Sequence, residues 1–145
     1  MKVRNSTRTY NYSSITAVVI KMQCYIFTIK DTEAEFDRRL KAKKWPFYER
    51  TIHASKLKAG DRIVFYEAGE GKHKFIGTAT AEGISLTQMH ISLDSIERWS
   101  KPVEIKKIYD KLKIIRNTRH YGAYLAGGIK KLAEEDYDLI VKNAK

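Results

Sequence analysis

Two runs of β-forming residues, Ile63-Val64-Phe65-Tyr66 and Phe75-Ile76-Gly77-Thr78-Ala79-Thr80, flank a charged, glycine-rich connection. Short apolar runs of β-branched and aromatic residues bounded by turn formers read as paired strands, so this stretch predicts a β-hairpin. Lys58-Ala59-Gly60-Asp61 supplies a turn ahead of it, with a glycine free to take positive φ and an aspartate able to bond neighbouring backbone. Gly69, Gly71 and Lys72 in the connection superficially suggest phosphate binding. A P-loop needs four residues between its glycines, then Lys and Ser/Thr opening a helix whose amides meet the anion, and that spacing is absent. The hairpin therefore frames something other than a nucleoside triphosphate.

Around the hairpin the chain alternates between strand and helix signals. Residues 24–29 form a strand by their β-branched and aromatic content. Thr32 and Glu35 are spaced as a capping box, and Phe36 and Leu40 lie one turn apart on a helix running to about Lys43, with Pro46 as its stop. A looser strand is expected from Ile91 to Trp99. After Pro102, the stripe Ile105, Ile108, Tyr109, Leu112 predicts a short amphipathic helix. Tyr137, Ile140, Val141 and Ala144 repeat the spacing behind Glu134, Glu135 and Asp136, which suit a helix N-terminus. These elements predict an α+β chain with mostly antiparallel pairing, a small barrel flanked by short helices.

A chain of 145 residues is expected to form one domain. Residues 1–21 are polar, basic and without a clean period, and are expected to be a flexible extension to a domain spanning 22–145. Cys24 has no disulfide partner, and neither cysteines nor histidines show zinc-ligand spacing, which points to an intracellular, cytoplasmic protein with no metal or other cofactor. The run Ala17–Ile20 is too short to span a bilayer.

Net charge is +11, and its distribution is uneven. Residues 1–21 carry four basic and no acidic side chains, and residues 101–131 carry nine basic against two acidic. Such concentration suits a surface that meets a polyanion, with nucleic acid as the leading partner.

The strand at Cys24–Phe27, the helix ending near Trp45, the hairpin from Leu57 to Tyr66 with Lys74–Gly77, and the late segment Leu112-Lys113-Ile114-Ile115-Arg116-Asn117 before a final helix occur in one order. Together they resemble the EVE domain family, of the PUA-like group and related in fold to YTH domains, over about residues 22–142. The resemblance implies a curved, antiparallel-rich β pseudo-barrel of five or six strands. It implies a pocket that receives one nucleobase, often modified, from RNA or DNA that is single-stranded or has a flipped base, with no chemistry on the base.

A base reader needs aromatic plates and a few placed polar groups. Trp45 matches the family's cage tryptophan by position and is the first candidate plate; a core-capping role is its alternative. Tyr25, Phe27, Tyr48, Phe65 and Tyr66 are candidates for the remaining walls, and strand alternation allows Tyr25 and Phe27 to be ordinary core instead. Asn117 offers donor and acceptor to a base edge, or serves as a turn residue. Arg116, Lys113, Arg119 and His120 are candidates for phosphate contacts. Two rival readings stand beside this one: an RNA-processing enzyme of the ASCH type using His120 with Arg116, and a binding module for protein or a small ligand.

Overall fold

The computed structural model describes residues 22–30, 33–48, 56–125 and 128–144; the extension expected over 1–21 lies outside them, as does Thr32 of the capping box. Six strands form one curled sheet in the order β2-β5-β4-β3-β1-β6. β1 (Cys24–Ile29) pairs in parallel with β3 (Arg62–Glu67) and antiparallel with β6 (Ile129–Leu132). β3 pairs antiparallel with β4 (Lys74–Ser85), β4 with β5 (His90–Glu104), and β5 with β2 (Lys44–Pro46). A parallel neighbour requires a crossover connection, and α1 (Glu33–Ala42) with β2 lies in that connection. The expected hairpin is present, and its glycine-rich turn leads into a strand and not into a helix.

The turn before β3 forms around Asp61, whose fully buried carboxylate accepts the backbone N–H groups of Lys58 and Gln23, each at 3.0 Å. Gly60 stands at φ 96° in that turn, a conformation that favours glycine. Gly77 serves a different purpose. Register shifts bend β5 over β4 there, and a Cβ would collide with the Glu97 carbonyl oxygen.

Alternation along the two central strands divides the apolar residues between the faces of the sheet. Tyr25, Phe27 and Ile29 of β1 join Ile63 and Phe65 of β3, packed with Phe36 of α1 and with Trp45. Cys24 and Ile26 join Val64 and Tyr66 on the other face, covered by Ile105, Ile108, Leu112, Leu125 and Ile140. The last of these belongs to α3 (Glu134–Asn143), the expected final helix with three acidic residues in its first turn.

Two expectations are corrected. Lys43, at φ 56° with its N–H on the Leu40 carbonyl at 3.1 Å, ends α1; Pro46 lies beyond it in β2, an edge strand where a missing donor costs no ladder bond. The stripe after Pro102 is buried but not α-helical. Pro102 belongs to β5, and Ile105–Lys107 is a 3-10 turn followed by further tight turns. The Lys113 and Ile114 N–H groups, which a continuing helix would use internally, are taken instead by the buried Asp136 carboxylate at 2.8 and 2.9 Å. The spacing reported which residues are buried, and α3 decided the backbone.

Candidate functional site

Parallel pairing brings the carboxyl ends of β1 and β3 to one end of the sheet, beside the β3–β4 turn. A cavity of about 680 Å³ opens there. Thr28 lines it from β1 and Lys30 from just past that strand, Tyr66 from β3, and Ala68, Gly69, Glu70 and His73 from the turn. The short α2 (Tyr121–Leu125) completes the wall with Gly122 and Leu125, followed by Gly128. Thr28 ties this wall to the sheet: its N–H donates to the Gly128 carbonyl at 2.7 Å, and its hydroxyl donates to the Leu125 carbonyl at 2.6 Å.

Aromatic and basic residues gather against the β3–β4 turn. The His73 ring meets Tyr121 edge-on at 5.6 Å, and Tyr121 meets Tyr109 at 5.6 Å. The Ile105 N–H donates to the His73 carbonyl at 2.9 Å, which draws the start of the basic segment, with exposed Lys106 and Lys107, against the turn. Exposed Arg116, Asn117, Arg119 and His120 occupy the stretch that leads directly into α2. Asn117 caps a 3-10 turn, its side-chain oxygen accepting the Arg119 N–H at 3.0 Å. The Arg116 guanidinium lies 5.9 Å from the Tyr124 ring centre. Lys113 points elsewhere, with its Nζ 2.9 Å from Glu135 on α3, and that hydrogen bond raises its pKa.

The candidate plates divide between the two faces. Trp45 is 2% exposed, stacked on Phe65 at 5.2 Å with Phe27 at 5.5 Å, and the Arg39 guanidinium lies 4.7 Å from its ring centre. Tyr25 is buried on that same face, and none of Trp45, Tyr25, Phe27 and Phe65 lines the 680 Å³ cavity. Tyr48 is 72% exposed and follows β2, where the neighbouring Phe47 N–H donates to Met89 of the β4–β5 turn, at the end of β4 away from the cavity. Tyr66 alone among the six aromatic candidates reaches the cavity. Burial, with Tyr121 close by, pushes its phenol well above the usual range and keeps it protonated.

His120 and Arg116, the enzymatic candidates, do not line the cavity. Among the described residues no cluster of His, Cys, Asp or Glu is arranged to hold a metal ion, and no helix is long and apolar enough to cross a membrane. Lys30, His73 and Gly122 were missed in the sequence. The hairpin signal pointed toward His73, but which turn faces a cavity depends on the parallel β1–β3 pair, which has no local signature.

The curled six-stranded sheet with its short helices defines an α+β PUA-like pseudo-barrel. Its fold is similar to that of several solved structures, a YTH domain among them. Human THYN1, solved in complex with DNA containing 5-methylcytosine, superposes with a TM-score of 0.60 at 11% identity over 85% of this chain and 98% of that one. The YTH domain of Zygosaccharomyces rouxii MRB1, in complex with N6-methyladenosine RNA, gives 0.55 at 12% identity over 90% and 94%. The N-terminal domain of Staphylothermus marinus McrB gives 0.57 at 12% identity over 88% and 98%. No family model matches the sequence, and no curated protein does. At such identities the likeness is one of fold.

Proposed function

We propose that this protein is a non-enzymatic nucleic-acid-binding module that receives a single methylated nucleobase and holds the flanking phosphates on a basic surface. The observation that carries the reading is a cavity whose α2 wall directly follows the exposed basic stretch 106–120 in the chain. The volume, about 680 Å³, is ample for a base, and Arg116, Arg119 and His120 immediately precede α2 in the chain, which supports assigning them to the flanking phosphates. Two proteins of this fold were solved with methylated nucleic acid, which supports the same class of ligand. Tyr66 is assigned to the base, the exposed cations of 106–120 to phosphates, and Trp45 with Phe65 to the scaffold behind the site.

An uncharged methyl group contributes about 0.8 kcal/mol by burial, and pocket discrimination by one such group is roughly 10- to 200-fold. Titration of the full chain with short single-stranded RNA and DNA, unmodified or carrying methylated cytosine or adenine, at two salt concentrations, tests the proposal. The expected result is preference for one modified base within that range, on top of salt-sensitive binding. Salt-sensitive binding without preference would leave a basic surface and no base pocket. Absence of binding would return the protein to the enzyme and protein-partner readings.

A further inference from the structure

Tyr66 is 1% exposed, and among the described residues its hydroxyl oxygen is buried without a hydrogen-bond partner. Buried tyrosine hydroxyls ordinarily find a partner, because an unpaired one has given up water for nothing. Phenylalanine would fill the same space: Phe75 packs against Tyr66 with ring centres 5.0 Å apart, and the surrounding cluster is otherwise apolar. The hydroxyl therefore contributes nothing to this packing, yet it belongs to a residue that lines the cavity.

We infer that the Tyr66 hydroxyl is the group with which the cavity reads the edge of its base, donating a hydrogen bond to a ring nitrogen or carbonyl oxygen of the ligand. The inference rests on the nucleic-acid reading above. The other hydroxyl at the site is already committed, since Thr28 donates its proton to the Leu125 carbonyl at 2.6 Å. A buried phenol suits a neutral base edge, whereas a phosphate buried beside it would lack a buried cation: of the charged side chains lining the site, Lys30 and Glu70 are both exposed. Tyr121 neighbours both groups: it is the phenol's electrostatic neighbour, and it packs on the cavity-lining His73. A shift of the Tyr121 side chain is the route by which the ligand reaches the hydroxyl.

The substitution Tyr66→Phe in the full chain separates this role from a structural one, because the two predict opposite signs. Removing an unpaired buried hydroxyl should raise the melting temperature of the free protein by a few degrees. It should also weaken binding of the preferred oligonucleotide, found among 5-methylcytosine DNA and N6-methyladenosine RNA, by about 5- to 10-fold at an unchanged salt slope. A lower melting temperature would mark a hydroxyl with a structural partner and overturn the inference whatever the affinity. Unchanged affinity in a variant of equal or higher stability would overturn it as well, while leaving the nucleic-acid reading intact. A wild-type protein that binds none of the oligonucleotides, or binds them without base preference, would end both readings.

Discussion

The two faces of the sheet are built from the same two strands and have opposite characters. On the face that carries α1, Trp45, Phe65, Phe27 and Phe36 interlock with ring centres 5.2 to 6.3 Å apart, and their surfaces are spent on one another. On the face covered by the C-terminal segment, packing stops short at the carboxyl ends of β1 and β3, leaving a cavity and a hydroxyl that has no partner among the described residues. Close-packed aromatic surface is a poor place to admit a ligand, because a ring must leave one neighbour before it can stack on another. Incomplete packing beside a polar orphan is the better candidate. On the proposed function, the richest aromatic cluster is the scaffold, and the base is received where that richness ends.

The largest test of this contrast is Trp45→Ala. It should cost about 3 to 5 kcal/mol in denaturant unfolding, as expected for emptying a packed core position. A cost under about 1 kcal/mol, with base preference lost, would return Trp45 to the role of a stacking plate. Asp136→Ala comes next, since it leaves the Lys113 and Ile114 N–H groups without their acceptor. A loss of about 2 to 3 kcal/mol is expected, and hydrogen exchange should show faster opening at 113–114 than in β1 and β3.

Gly122 offers a sharper probe of the open face. Among the described residues nothing beyond its chain neighbours and its own helix backbone lies within 4 Å of where its Cβ would stand, and its φ is not in the left-handed region. Gly122→Phe should fold with a stability change within about 0.5 kcal/mol, yet abolish base preference while salt-sensitive binding persists. Retention of preference would move the base to another site. The smallest effect belongs to the closed face's helix. Arg38 and Arg39 donate to Glu35 at 2.7 to 2.9 Å and hold its carboxyl at about 2 instead of 4.5. A depressed carboxylate pKa stabilises the fold above the unfolded value and is lost as pH falls, so the contribution should disappear between about 4.5 and 2. Glu35→Gln should flatten the acid limb of a melting-temperature profile in that window, and an unchanged limb would discard the assignment.

Amino-acid pattern alone located β1, α1, the β3–β4 hairpin and α3, because each carries its period and its punctuation within a dozen or so residues. Charge pattern likewise located the basic segment that runs into α2 of the cavity wall. The same reasoning misread residues 105–112, where i, i+3 burial is common to α-helices and successive tight turns and the Asp136 carboxylate chose between them. β2 and β6 are three and four residues long, too short for a period, and exist only through their pairing with β5 and β1.

Residue type identified the aromatic candidates, but alternation fixes only that Phe65 and Tyr66 face opposite ways, not which way leads to a cavity. That decision required α1 to cover one face and the C-terminal segment the other. The chemistry available to this chain was written locally, in its aromatic rings and its cations. Where a ligand can enter was set by long-range pairing, because a cavity is a property of what fails to meet across the fold.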